Sequence, residues 1–329
     1  MATISGSLGS IGANAAVFFL NTADNPDFNP NVVSSFADGS GDYVSPDLAP
    51  GTYLVTPALF GMEFSPFNSS QTVASSNITG VDFGFGSFYS LQPGGSDAFN
   101  YSGDLDVQNS TDWKLDAAGD GPIVAENGFA QGTDDEFSVE NWIGPGYTSP
   151  YTGDVWASIV LRTSDADTQN SFVIGLRADS AVSSFGIWLE WFTNSGLGTP
   201  TAAMDILDIA DQTLGLFLSD NTLEFNAGDE FLCVARGSNY YLFQNRIAIG
   251  AVTFPSTTPG FTSLIQDVGD LADTTTIQNW QTGAVVAGAS ATDVDHSADF
   301  YVAGEPLLEP IVVTQQVATK LGITVNVDI

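Results

Sequence analysis

The chain has 329 residues, with 39 Asp and Glu against 6 Lys and Arg, for a formal net charge of −33. So few cations cannot neutralise a phosphate backbone or an anionic bilayer, which excludes nucleic acid and anionic membrane surfaces as partners. With 43% hydrophobic residues, 34 Gly and 23 Phe, the composition is that of a folded all-β chain with many turns, long enough for two domains.

The N-terminal Met1-Ala2-Thr3-Ile4-Ser5 places no basic residue ahead of the apolar run from Ala15 to Leu20, and that run is too short to span a bilayer. Neither a signal peptide nor membrane insertion is expected. Phe36 to Pro57 then holds two short strand signals, around Tyr43 and Tyr53, with a turn ending in Pro50-Gly51 between them. A hairpin is expected there. Tyr53 and Val55 take one face and Leu54 and Thr56 the other, by the two-residue period of a strand.

This run, with Gly61-Met62-Glu63-Phe64-Ser65-Pro66 and the later Asn77 to Phe83, resembles the central hairpin of the carboxypeptidase-regulatory-like (prealbumin-like) β-sandwich. The resemblance covers Ile4 to Phe85. It implies a small Ig/prealbumin-like sandwich over residues 1–86, of the kind used as a spacer or docking unit on extracellular or particle-surface proteins. Gly84 to Ser87 and the Gly- and Pro-bearing Gln92 to Ser96 read as the junction to a second domain.

Residues 87–288 carry repeated strand signals: Val155 to Leu161, Ser171 to Leu176, Phe185 to Phe192, Leu214 to Leu218, Glu230 to Ala235 and Tyr240 to Phe243. Several are apolar on both faces, as expected for strands of a sandwich. Gln244 to Val252 reads as a hairpin turning at Asn245-Arg246. Asp97-Ala98-Phe99 with Trp113, Phe172 to Arg177, Leu223 to Leu232 (with Asn226-Ala227-Gly228-Asp229) and Tyr240 to Ala248 resemble the concanavalin A-like lectin/glucanase (laminin-G-like) jelly roll, with Arg246 where a turn Gly is usual. The resemblance implies a larger sandwich of that type and a glycan-binding or glycan-cleaving surface.

A retaining glycosidase needs two carboxylates about 5 Å apart, and the resemblance to sandwich glucanases implies acids at even spacing on one face of one strand. Asp205, Asp208 and Asp211 are spaced by three and alternate faces, and no enzyme is expected. The strand Phe185 to Phe192 is more informative. Phe185, Ile187, Leu189 and Trp191 form one apolar face. Trp188, Glu190 and Phe192 share the other, with a carboxylate between two aromatics that could stack sugars and accept hydroxyl hydrogen bonds. The plainer alternative is a loop-covered face with Glu190 paired to Arg162 or Arg177. Trp142 and Tyr147 lie in an aromatic, Pro-Gly-rich loop that reads equally as a rigid surface loop or a contact surface.

Asp165, Asp167 and Asn170 offer hard oxygen ligands of the kind calcium takes, without an EF-hand pattern. A solvated acidic turn is the simpler reading. Cys233, the one cysteine, sits in an apolar run and reads as a core thiol. The one histidine, His296, is far away in sequence. The last segment, 289–329, ends in Ile323, Val325, Val327 and Ile329 on one face of an alternating strand, too short to bury that face alone. It reads as a docking arm, within the chain or onto another.

These features together lead to an expectation of an all-β, two-sandwich protein with an extended arm. Its expected role is a non-enzymatic structural protein of a virus (phage) particle, as capsid decoration or tail appendage. Its partners would be other virion proteins, further copies of itself and surface glycans. A secreted or cell-surface glycan-binding adhesin is the alternative, and a polysaccharide hydrolase a third.

Overall fold

The computed structural model describes residues 1–22, 32–115, 123–132, 137–144, 153–163, 170–179, 185–192, 202–207, 218–220, 226–253, 261–268 and 276–288. Met1–Ala287 and Gly288–Ile329 form two compact units, and all of the second except Gly288 lies outside the described residues.

The fold is all-β. The N-terminal part contains β1 (Ser5–Ser7), β2 (Ala16–Asn21), β3 (Val32–Phe36), β4 (Asp42–Val44), β5 (Gly51–Ala58), β6 (Met62–Ser65) and β7 (Ser69–Val73). β8 (Gly84–Asp97) leads into β9 (Ser102–Asp104), the short helix α1 (Leu105–Gln108), β10 (Trp113–Leu115), β11 (Ile123–Glu126), β12 (Ala130–Gly132) and β13 (Phe137–Trp142). Then come β14 (Val155–Thr163), β15 (Asn170–Asp179), β16 (Phe185–Phe192), β17 (Ala202–Leu207) and β18 (Leu218–Asp220). The series closes with β19 (Glu230–Arg236), β20 (Asn239–Gln244), β21 (Ile247–Thr253), β22 (Phe261–Val268) and β23 (Thr276–Ala287).

In the N-terminal sandwich a four-stranded sheet, β3-β2-β5-β7, faces the pair β1–β4. The expected hairpin is not one. β4 pairs with β1, whereas β5 pairs with β2 and β7, so the connection arches from one sheet to the other. Two anchors set the arch: Ile4 donates its backbone N–H to the Ser45 hydroxyl at 2.9 Å, and Leu48 bridges Ala2. Tyr43 and Tyr53 therefore enter one core from opposite sheets, together with Ile4, Phe19, Val55 and Phe64. The Tyr43 hydroxyl donates to the Val81 carbonyl, and burial pushes its pKa up.

The larger sandwich stacks a seven-stranded sheet, β10-β13-β22-β15-β16-β17-β18, on a sheet whose main path is β21-β20-β19-β14-β23-β12-β11-β9. Trp113, Trp142, Trp280, Ile174, Leu264, Phe231 and Leu242 are among the residues buried between them. β8, a turn-rich junction by its sequence, is one strand of 14 residues. Its first part pairs with β6 of the small sandwich and its second with β23 of the large one. The two sandwiches thus share a hydrogen-bonded sheet.

Candidate functional site

Strands of the β8-containing sheet are apolar on both faces for a specific reason. In β19, Phe231, Cys233 and Ala235 enter the core between the large sheets, while Leu232 and Val234 point the other way. In β20, Tyr240 and Leu242 face the core, while Tyr241 and Phe243 face outward. Those outward residues, with Trp156 and Val285, pack against Ala16, Phe18, Ala58, Phe60 and Phe67 of the small sandwich. One outer face of the large sandwich is therefore buried beneath the small one.

Charge fixes this seam. Arg236 reaches Glu63 at 2.9 Å and Asp154 at 3.7 Å, and Ser87 donates to Glu63 at 3.0 Å. Arg246 makes a two-pronged contact with Glu230, at 2.7 and 2.6 Å, and lies 4.8 Å over the ring of Phe60. Two of the chain's six basic residues are used here. Burial raises the hydroxyl pKa of Tyr89 and Tyr241 in the same seam. Cys233 is fully buried, and burial pushes its thiol up, which makes it a core residue and not a nucleophile.

The outer face of the seven-stranded sheet lies on the side of the large sandwich away from this seam. Its register is explicit. Ile174 stands opposite Leu189 on one side and Leu264 on the other, and Ile174 and Leu264 are core residues. Positions 188, 190 and 192 alternate with Leu189 and so belong to the opposite, outer face. One row across the strands reads Leu207, Trp188, Gly175, Ser263 and Asn141. The next reads Asp205, Glu190, Val173, Ile265 and Val139. Phe192 stands opposite Ser171. This face thus mixes ring, carboxylate, hydroxyl and amide positions with the aliphatic positions Leu207, Val173, Ile265 and Val139, around a buried Gly175; rings and polar groups are what a polyhydroxylated ligand uses.

Spacing along the chain does not reveal Asp205 as a neighbour of Glu190, because the two meet across a strand pair. The signal that could have found it is the short apolar run of Ala202 to Leu207 with Asp205 inside it, the strand β17. Arg162, one of the cations considered for Glu190, sits 4.4 Å over the ring of Phe129.

Trp142 does not belong to a contact surface. It is fully buried at the end of β13, with its ring edge-on to Trp113 at 5.0 Å, so neither face of the indole can meet a ligand. Tyr147, Asp165 and Asp167 lie outside the described residues, as do Ile323, Val325, Val327, Ile329 and His296. Asn170 opens β15, paired with Val268. Among the described residues no group of three His, Cys, Asp or Glu is placed to hold a metal ion, and no helix is long and apolar enough to cross a membrane.

A buried carboxylate, Asp97 of the Asp97-Ala98-Phe99 and Trp113 block that carries the jelly-roll resemblance, holds the start of the large sandwich together. Asp97 accepts from the Phe99 N–H at 2.7 Å, the Tyr101 hydroxyl at 2.7 Å, the Asn109 amide at 3.2 Å and the Trp113 indole at 2.8 Å. Four donors of the protein itself converge on it, which gives it a structural role.

No protein-family model matches the chain, and no curated protein matches it. Among solved structures, a Bacillus subtilis protein of unknown function with a galectin-like fold matches at 11% identity and a TM-score of 0.45, over 61% of this chain and 100% of that one. The CBM2 module of the evolved Dit of Lactobacillus casei BL23 phage J-1 matches at 12% identity and a TM-score of 0.42, over 61% and 99%. An endo-β-1,3-glucanase from Pyrococcus furiosus matches at 12% identity and a TM-score of 0.43, over 62% and 97%. Likeness at this level assigns no ligand and no activity.

Proposed function

We propose that this chain is a non-enzymatic surface protein of a virus (phage) particle, a capsid decoration or tail appendage, that binds glycans through the outer face of its seven-stranded sheet. One observation carries the reading. The small sandwich occupies the opposite outer face of the large sandwich, so the face bearing Trp188, Glu190 and Phe192 is the one left to meet a ligand. The acids on that face, Glu190 and Asp205, and the net charge of −33 repel anionic polymers. The ligand is therefore a neutral polysaccharide. Quantitative mass spectrometry of purified particles and of cell-envelope fractions tests the location. Fixed-copy enrichment in particles is expected, and enrichment only in the envelope or medium would favour a cell-surface adhesin. Affinity electrophoresis through gels of neutral polysaccharides tests the binding, with retardation expected in at least one gel.

A specific observation favours a second reading, a polysaccharide hydrolase. Glu190 stands directly opposite Asp205 on the neighbouring strand. Residues so paired have Cβ atoms about 4.5–5.5 Å apart, and retaining glycosidases hold their two carboxyl groups about 5–5.5 Å apart. Release of reducing ends that Glu190→Gln abolishes would establish this reading. Binding without any such release would dismiss it.

A further inference from the structure

We propose that β7 pairs edge to edge with the β7 of a second copy, antiparallel, so that two four-stranded sheets join across a two-fold axis. In the order β3-β2-β5-β7, β7 has a strand on one side only among the described residues. An open edge offers unpaired backbone N–H and C=O groups and is normally guarded by charge, Pro, a bulge or a cover. Among the described residues β7 has none of these guards. Its five residues, Ser69, Ser70, Gln71, Thr72 and Val73, are uncharged and free of Pro, and its pairing with β5 runs without a register shift. Ser70 and Thr72 are exposed, and Ala74, Ser75, Ser76 and Asn77 continue the exposed surface.

The terminal strands along the main paths of the two larger sheets are protected. β10 carries Lys114, β18 ends in Asp220, and β9 is three residues long and ends in Asp104. β21 starts beside Arg246 and has a register shift against β20. β3, at the far side of the same small sheet, lies against β18.

Charge selects the partner. Two copies each bearing −33 repel wherever acidic surface meets acidic surface. From Phe64 to Val81 the sequence has no charged residue, so at β7 two copies can approach without opposing carboxylates. The strand is also self-complementary about Gln71. Antiparallel pairing sets Ser70 against Thr72 of the second copy, a hydroxyl pair like the one Thr52 and Thr72 already make at 3.2 Å, and sets Ser69 against Val73. A dimer built this way presents two ligand faces, and avidity multiplies a weak glycan contact.

The test uses the full chain. Sedimentation equilibrium should give twice 34.5 kDa for the wild type, with the dimer favoured by added salt, and the single-chain mass for Ser70→Glu/Thr72→Glu at unchanged melting temperature. Gln71→Cys, on the two-fold axis, should form a disulfide-linked dimer under mild oxidation, while Ser76→Cys should not. The native Cys233 is buried and will not interfere. A monomeric wild type would overturn the proposal. So would an oligomer that survives the double Glu substitution, which would place the contact elsewhere, for example on residues 289–329. A Gln71→Cys chain that fails to cross-link would overturn it too.

Discussion

The guanidinium of Arg236, on β19 of the large sandwich, meets the carboxylate of Glu63, on β6 of the small one, at 2.9 Å across their shared seam. Both side chains are mostly buried, at 16% and 18% exposure, so each would be costly to leave alone. Glu63→Gln or Arg236→Met should each lower stability by about 1–3 kcal/mol. The double variant should lose less than the sum. A double-mutant cycle from urea unfolding measures this coupling; simple additivity would mean the pair does not hold the seam.

The large sandwich should not behave as a free-standing unit. Expressed as residues 87–288, it would expose Trp156, Leu232, Val234, Tyr241 and Phe243 as one apolar patch. Aggregation or strong binding of a hydrophobic dye is expected, in contrast to the full chain. A monodisperse fragment with a cooperative melt would show that the small sandwich is an independent appendage.

Asp97→Asn should be more damaging than its small change in shape suggests. The carboxylate accepts four hydrogen bonds, three of them on one oxygen. An amide NH₂ at either position would face donors. A loss of about 2–4 kcal/mol is expected, with altered Trp113 fluorescence, because each hydrogen bond to a charged group is worth about 1.5–3 kcal/mol and the set is not additive. An unchanged denaturation midpoint would contradict the role assigned to Asp97.

Alkali should unfold the chain. The hydroxyls of Tyr43, Tyr89, Tyr101 and Tyr241 are all raised above the ordinary 10.0, chiefly by burial. The folded state therefore holds these protons more tightly than the unfolded state. Their contribution to stability is complete below pH 10 and is lost as pH rises beyond it. Absorbance titration should show these tyrosines ionising together with unfolding, after the exposed ones. Early, independent ionisation of all 9 tyrosines would contradict their burial.

Much of the large sandwich was legible in the sequence because its strongest signals are local. The turn between β20 and β21 has positive φ at both Asn245 (51°) and Arg246 (65°), as a two-residue hairpin turn requires. Asp229 explains the neighbouring motif. It accepts from the Asn226 N–H at 2.7 Å, the Gln244 amide at 2.9 Å and the Asn245 amide at 2.7 Å, so residues that carry the resemblance lock a turn.

What was not legible depends on partners distant in sequence. β8 reads as loop from its Gly and Pro, yet pairs along its length. Its irregularity at Pro93 is matched by a register shift at Thr282 and Gly283. A side chain at Gly283 would collide with the Gln92 carbonyl and the Trp156 indole, which hydrogen-bond to each other at 3.2 Å. The separation of β4 and β5 into different sheets, and the pairing of Glu190 with Asp205, are likewise set by register between strands and leave no local trace.

The most direct test is titration calorimetry of the full chain and of Trp188→Ala against a neutral polysaccharide identified by affinity electrophoresis. Loss of about tenfold or more in affinity in the variant, about 1.4 kcal/mol, at unchanged melting temperature, is the predicted result. Wild-type affinity in Trp188→Ala would contradict the assignment of the ligand to the outer face of the seven-stranded sheet.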